Sequence, residues 1–184
     1  MDKWLSKNAE NFKSLALIGD SDNVKAMQAL EIVKQFIIDK KLIMYGGTAI
    51  DFAFRLRGEQ LYHDDLPPDY DFFSPDGVND AYELADIFHA ADYKGETKHG
   101  IHPQTMGVFA SGIKVADIGH VPKKAFDQIP TIDYEGMKIV HPNFQRIDLH
   151  LSLCFPFENA PREDVFSRWK KDIPRFNMLN GLYP

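Results

Sequence analysis

Two short stretches, MYGGT at residues 44–48 and PPDYDFF at residues 67–73, carry most of what can be predicted about the fold of this chain. Asp69 and Asp71 are two positions apart, so on a β-strand both side chains project from the same face of the sheet. Neighbouring carboxylates repel each other unless a cation lies between them, and carboxylate oxygens are ligands that suit magnesium. This stretch therefore predicts a strand that presents a metal-binding pair of acids.

The upstream stretch supplies Gly46, Gly47 and Thr48 directly after a short apolar run that predicts a strand. Two glycines let the backbone approach a phosphate group closely, and a following helix amino terminus favours an anion. We expect Thr48 to cap that helix, because Ser, Thr, Asp and Asn are the usual capping residues. These three residues are therefore predicted to bind the phosphates of a nucleotide.

A third acid is needed to complete a site for two metal ions, and two residues compete for the role. Asp117 lies singly in the apolar run of residues 115–118, where a charge is costly without a partner. The alternative is Asp148, because the alternation of residues 147–153 would place it on one strand face with His150 and Ser152. Asp117 is preferred, although the residues themselves leave Asp148 open.

The remaining pattern predicts an α+β fold, a mixed sheet with flanking helices. The antiparallel hairpin predicted at residues 105–118, with Ser111 and Gly112 at its turn, argues against a doubly wound parallel sheet. We expect one domain over residues 1–184, with an amino-terminal helical segment at 1–40 and a core at 41–184 that carries the glycine pair and the acids. The other predicted elements are helices at 22–40, 79–92 and 164–179 and strands at 42–45 and 135–140.

Composition limits the class of protein. The chain has 184 residues, 44% of them hydrophobic, which suits one domain with a real core. A formal charge of -6 argues against a broadly basic surface for nucleic acid, so any contact with a polynucleotide must be local. The single cysteine, Cys154, excludes an internal disulfide, and no apolar run is long enough for a membrane span. We therefore expect a soluble, intracellular protein.

The three motifs, GGT at 46–48, DYDF at 69–72 and VADI at 115–118, resemble the signature of the DNA polymerase beta nucleotidyltransferase superfamily. YGGTAI at 45–50, PDYDFFS at 68–74 and HPNFQR at 141–146 resemble more closely the catalytic subunit of poly(A) polymerases from poxviruses and giant DNA viruses. The resemblance runs from about residue 42 to residue 184. It favours a helix over residues 147–153 and assigns the third acid to Asp117.

This resemblance implies a specific activity. The chain would add AMP from ATP to an RNA 3′ end without a template and release pyrophosphate, using two Mg²⁺ or Mn²⁺ ions held by Asp69, Asp71 and Asp117. It also implies contact with a processivity or structural protein partner and work in the host cytoplasm, a viral factory or the virion. Two alternatives stay open: a small nucleotidyltransferase that modifies protein, tRNA or a small molecule, and a retired fold that serves as a structural or partner-binding component.

For the other charged and histidine residues, the sequence favours surface or structural roles over catalytic ones. The basic residues of the carboxyl-terminal helix are interrupted by acids, so we expect a solvated helix face; the basic residues are Arg162, Arg168, Lys170, Lys171 and Arg175. The histidines lack the spacing of a zinc site, so no zinc is predicted. The sequence contains no P-loop and no nucleophile elbow, which argues against a P-loop ATPase and a serine hydrolase.

Overall fold

The computed structural model describes residues 21–64, 66–158 and 165–184. Residues 1–20 of the predicted amino-terminal segment and three charged residues of the predicted carboxyl-terminal helix, Arg162, Glu163 and Asp164, lie outside the described residues. The division of the chain into segment and core stays a prediction.

Seven strands and six helices form the described structure. The strands are β1 (Ile43–Met44), β2 (Tyr70–Ser74), β3 (Gly95–His99), β4 (Thr105–Ala110), β5 (Ile113–His120), β6 (Thr131–Tyr134) and β7 (Met137–Val140). The helices are α1 (Ser21–Lys40), α2 (Gly46–Arg55), α3 (Gly77–Ala90), α4 (Lys123–Phe126), α5 (Pro142–Cys154) and α6 (Val165–Leu182).

The strands form one mixed sheet in the order β3-β4-β5-β2-β1-β7-β6. Strand β2 runs parallel to β5 and antiparallel to β1, while β1 runs parallel to β7. The outer pairs β3–β4, β4–β5 and β6–β7 are antiparallel. The predicted α+β class with a mixed sheet and flanking helices is confirmed, as is the hairpin of β4 and β5.

Two clusters of buried side chains hold the elements around β2. The larger cluster joins the sheet to α1 and α3, and it includes Phe36 of α1 and Phe72 of β2, whose ring centroids are 6.4 Å apart. The smaller cluster joins α2 to α5 and α6 through Ile50, Leu149 and Leu179. The second cluster matters for function because it fixes the two carboxyl-terminal helices against the helix that starts at the glycines.

Burial alternates along β2. Tyr70, Phe72 and Ser74 are buried, whereas Asp71 and Phe73 are only partly covered. This is the period of two that a strand imposes, since successive side chains point to opposite faces. Packing of the apolar set into the main core therefore directs the carboxylate of Asp71 to the other face of the sheet.

The strand alternative for residues 147–153 is wrong, because the segment is part of α5. The helix start explains the outcome: Pro142 occupies the first turn, and the ring of His141 accepts a hydrogen bond from the amide of Asn143. Asp148 and Ser152 are thus one helical turn apart instead of on a strand face.

Three elements were not predicted from the sequence: β3, α4 and β6. The edge strand β3 reads GETKH, which carries no apolar alternation, and its last two residues are exposed. An edge strand with polar side chains gains its order from pairing with β4, which a local pattern cannot show. Within the described residues, no helix has the length and apolarity that crossing a membrane requires.

Candidate active site

Helix α2 begins at the glycine pair instead of after it. Tyr45 is its N-cap and makes no side-chain cap hydrogen bond, so the predicted capping role of Thr48 is wrong: Thr48 is the third residue of the helix. Gly46 has φ +75, and a Cβ atom placed there would lie 2.6 Å from Oδ2 of Asp71. Only glycine combines that backbone conformation with so close an approach to a carboxylate.

Thr48 ties the glycine turn to the first acid. Its buried hydroxyl donates to the carbonyl oxygen of Asp69 (2.8 Å) and accepts from the amide of Asp69 (3.2 Å). The amide of Tyr45 donates to the carbonyl of Asp71 (2.9 Å), which adds a second link between the two stretches. The hydroxyl predicted to meet phosphate therefore fixes the backbone of Asp69 in this structure.

The three predicted acids lie together. Asp69 is the residue directly before β2, Asp71 is the second residue of β2, and Asp117 is opposite Asp71 in the parallel pairing of β2 with β5. Neighbouring strands are about 4.8 Å apart, and residues paired in this way project from the same face. The sheet register thus brings together acids that are separated by 46 positions in the chain.

Burial and like charge act on Asp71. Burial, followed by the charges of Asp69 and Asp117, raises the pKa of its carboxyl to about 7, while Lys114 and Arg175 act in the opposite direction. A carboxylate whose environment disfavours its charge is typical of a site that gains a cation during function.

The negative charges of the three acids also act on Tyr45. Burial raises the pKa of its phenol, and the negative charges of Asp71, Asp117 and Asp69 raise it further. Its ring stacks on Phe73 with a centroid distance of 4.0 Å and an interplanar angle of 8°. A stacked aromatic pair therefore lies beside the acids.

Lys114 provides a positive charge among these acids. Its ammonium forms an ion pair with Oδ2 of Asp117. Across the sheet, Gly107 pairs with Asp117, and a Cβ atom at Gly107 would lie 3.4 Å from Oδ1 of that acid. Asp117 is thus held between a lysine and a strand with no side chain at the facing position.

Among the described residues, no three His, Cys, Asp or Glu side chains are already arranged as a metal site. The fit is instead one of donor chemistry, since three neighbouring carboxylates supply hard oxygen ligands, and the charges of Asp69 and Asp117 add to burial in raising the pKa of Asp71. Shared binding of a divalent ion requires the Lys114 pair to open and the carboxylates to turn towards each other.

A cavity of about 350 Å³ opens beside the glycine turn. Its walls are mostly apolar, with Phe144, Asp148 and Arg175 on the side formed by the carboxyl-terminal helices; the other lining residues are Tyr45, Gly46, Ile50, Phe73, Val140, Gln145 and Leu149. Burial, followed by the charge of Asp172, raises the pKa of Asp148. Asp148, the alternative candidate for the third acid, therefore lines the cavity next to the site.

A family model for the poly(A) polymerase catalytic subunit matches residues 31–159 of the chain. The chain belongs to this family. A protein of African swine fever virus (isolate Tick/South Africa/Pretoriuskop Pr4/1996), named as a candidate poly(A) polymerase catalytic subunit, is 48% identical over 178 residues, which cover 96% of this chain and 38% of the relative. The resemblance stated from the motifs is confirmed.

More distant poly(A) polymerase relatives agree in sequence and in structure. A protein of Acanthamoeba polyphaga mimivirus with the same name is 30% identical over 84% of this chain and 26% of its own length. The crystal structure of the Megavirus polyadenylate synthase matches with a TM-score of 0.85 and 29% identity, covering 100% of this chain and 36% of that one. The chain thus spans between about a quarter and two fifths of the length of these relatives.

The structure adds residues of this poly(A) polymerase family member that sequence reasoning missed. Arg175, predicted to lie on a solvated helix face, is only 15% exposed and lines the cavity at the glycine turn, so that interpretation is wrong for this residue. Lys114 and Asp51 were also missed. Contacts across the sheet and between distant helices place them, and no local spacing in the sequence indicates such contacts.

Proposed function

We propose that this chain carries the catalytic centre of a template-independent poly(A) polymerase, which adds AMP from ATP to the 3′ end of RNA. The observation that carries the proposal is the alignment of Asp71 with Asp117 across two parallel strands, next to Asp69 and the glycine turn. Membership of the poly(A) polymerase catalytic subunit family supports the same activity.

Each requirement of nucleotidyl transfer has a candidate group. Asp69 and Asp71 would hold two Mg²⁺ or Mn²⁺ ions, and Asp117 would share one of them. When bound, the ions neutralise charge on the triphosphate and make the attacking hydroxyl more acidic. The amides of Gly46 and Gly47 at the first turn of α2 would receive phosphate oxygens.

The reaction exchanges one phosphoester bond for another. The 3′-hydroxyl oxygen of RNA attacks the α-phosphorus of ATP, a new P–O bond forms, and the bond to the β-phosphate oxygen breaks so that pyrophosphate leaves. Asp117 would orient the hydroxyl and take its proton once its ion pair with Lys114 has opened, because that ion pair weakens the carboxylate as a base. Thr48 keeps the backbone of Asp69 in place throughout.

The cavity next to the glycines supports an adenosine donor. Its volume of about 350 Å³ falls within the range of small-molecule sites, roughly 300 to 1,000 Å³. Aromatic walls from Tyr45, Phe73 and Phe144 suit a flat base, while Asp148 and Gln145 offer hydrogen-bond acceptors to an amino group or a ribose hydroxyl.

Labelled ATP tests the proposal. The protein is incubated with α-labelled ATP and Mg²⁺, separately with RNA, with tRNA and with protein acceptors, and the labelled polymer is identified. We expect extension of RNA 3′ ends that stops when EDTA is added. Asp71→Asn should abolish labelling, whereas Asp133→Asn, which removes an exposed acid on β6, should not. Label confined to tRNA or protein would replace RNA as the acceptor, and no label with any acceptor would favour a retired fold.

A further inference from the structure

Arg175 of α6 is a basic side chain in the lining of the cavity beside the glycine turn. We propose that Arg175 binds the β- and γ-phosphates of the nucleoside triphosphate at the amino terminus of α2. The inference rests on the proposed function, because it assigns a residue to the triphosphate of that same site. It also concerns a residue 104 positions away from Asp71 in the chain, on the last described helix.

The guanidinium lies directly against the glycine turn. A Cβ atom on Gly47 would be 2.7 Å from Nη2 of Arg175 and 2.5 Å from the hydroxyl oxygen of Tyr62. Glycine at this position therefore leaves room for the ends of the Tyr62 and Arg175 side chains against the first turn of α2. The contact places five N–H donors beside the first turn of α2, where backbone amides also lack helical partners.

The same guanidinium is close to the acids. Its positive charge lowers the pKa of Asp71, and it lines the 350 Å³ cavity together with Gly46. A triphosphate at the glycine turn would thus lie between the cations held by the acids on one side and Arg175 on the other. Arginine suits this position because its planar fork donates two parallel hydrogen bonds to phosphate oxygens.

A comparison within the molecule separates this arginine from a purely structural one. Arg55 is 2.6 Å from Asp51 and 2.5 Å from Asp64, and it donates to the carbonyl of Tyr62, so strong acceptors face its guanidinium on several sides. Arg175 instead meets a neutral phenol and the Asp172 carboxylate at 3.3 Å. That distance is long for a charge-assisted hydrogen bond, which is about 2.8 Å. Arg175 therefore keeps capacity for an anionic ligand.

A second contact chain holds Arg175 in place. The hydroxyl of Tyr62 accepts from its Nη2, and the amides of Leu61 and Tyr62 donate to the buried carboxylate of Asp51. Asp51 belongs to α2 itself, so the helix whose amino terminus would bind phosphate also anchors the loop that supports the arginine. This arrangement makes Tyr62 a positioning residue for Arg175.

Binding measurements on four variants test the assignment. Affinities for Mg²⁺-ATP, AMP and sodium tripolyphosphate are measured by calorimetry for the wild type, Arg175→Met, Arg175→Lys, Tyr62→Phe and Lys171→Met. Lys171→Met is the matched control, because it removes one positive charge from an exposed position on the same helix. AMP reports the integrity of the nucleoside site, and tripolyphosphate reports the phosphate contact alone.

The expected pattern is specific to the triphosphate. Arg175→Met should weaken ATP and tripolyphosphate binding roughly 10-fold to 100-fold and AMP binding less than about twofold, as for loss of a charge-assisted hydrogen bond. Arg175→Lys should recover part of the loss, Tyr62→Phe should cost about threefold, and Lys171→Met less than about twofold.

Three outcomes would overturn the assignment, and they differ in what else they remove. Equal ATP affinities in Arg175→Met and Lys171→Met would end the role of Arg175 and leave the proposed function intact. Equal losses of ATP and AMP affinity in Arg175→Met would show a structural role. A wild-type protein that binds neither ATP nor tripolyphosphate in the presence of Mg²⁺ would remove the proposed function together with this inference.

Discussion

Asp51 and Asp71 are buried or largely covered carboxylates close to the same glycine turn, yet their surroundings are opposite. Asp51 is 3% exposed and receives two backbone amides, from Leu61 and Tyr62, and the guanidinium of Arg55. Asp71 faces two other acids, and burial and like charge raise its pKa to about 7. A carboxylate surrounded by hydrogen-bond donors stabilises a fold. One surrounded by carboxylates experiences electrostatic repulsion, which a bound cation can remove.

Activity should separate the two acids most strongly. Asp71→Asn keeps the size of the side chain and removes a charge of the proposed metal site, so we expect AMP transfer to fall about a thousandfold. Initial rates of RNA extension at saturating ATP measure the effect. Asp133→Asn is the control of equal charge change on β6. A rate within about tenfold of wild type for Asp71→Asn would show that this acid does not bind the ions.

For stability we expect the opposite order, with substitution of Asp51 having the larger effect. Asp51→Ala leaves Arg55 and two loop amides without their acceptor, so the free energy of unfolding should fall by about 3 kcal/mol. Asp71→Asn, measured without metal, should not destabilise the protein. Urea unfolding of both variants in EDTA gives the comparison. If Asp71→Asn destabilised the protein as much as Asp51→Ala does, Asp71 would stabilise the fold in the same way as Asp51.

The pH dependence sharpens the contrast further. The pKa of Asp71 rises from an ordinary value of 3.8 to about 7 on folding, so the folded state resists ionisation of this group. Below about pH 4 both states are protonated and the group contributes nothing; stability is then lost as pH rises from about 4 to about 7.

The free energy of unfolding of metal-free wild type, compared with Asp71→Asn, should therefore decline by roughly 2 to 4 kcal/mol across that window and stay level above it. Unfolding curves of both proteins in EDTA at several pH values check this. Added Mg²⁺ should restore the loss above neutral pH. A difference between the two proteins that is independent of pH would contradict the raised pKa of Asp71.

We expect the smallest effect on stability from the hydrogen bonds that Thr48 makes to the backbone of Asp69. Thr48→Val removes a hydroxyl that both donates to and accepts from Asp69, and it should cost about 1 to 2 kcal/mol of unfolding free energy. Thr48→Ser keeps the hydroxyl and is the matched control. Thermal unfolding compares the pair. If both variants lose the same stability, the contact with Asp69 contributes nothing and only packing of the methyl group matters.

How much of the structure could be predicted from the sequence depends on how far apart in the chain the contacting residues are. The alternation in β2 and the apolar setting of Asp117 were local signals, and they predicted two acids that the sheet register brings side by side. The strand alternative for Asp148 failed because apolar alternation over seven residues also fits a helix that begins at a proline. The family motifs correctly favoured that helix.

The features that the sequence could not predict depend on contacts between elements that are far apart in the chain. Arg175 reaches the glycine turn only because α6 packs on α2 through the second core cluster. Asp51 looks like an ordinary helical acid until the loop at residues 61–62 folds back on it. Thr48 had the right residue type for a cap, yet the N-cap is Tyr45, three residues earlier, and the Thr48 hydroxyl binds the backbone of Asp69 instead.

Binding of Mn²⁺ tests the central claim most directly. Paramagnetic resonance can count bound Mn²⁺ in the presence of a non-hydrolysable ATP analogue for the wild type, Asp71→Asn and the control Asp133→Asn. We predict that the wild type and the control bind the ion with the analogue, and that Asp71→Asn loses at least about tenfold in affinity. Equal Mn²⁺ affinities in all three proteins would contradict a metal site built on these acids.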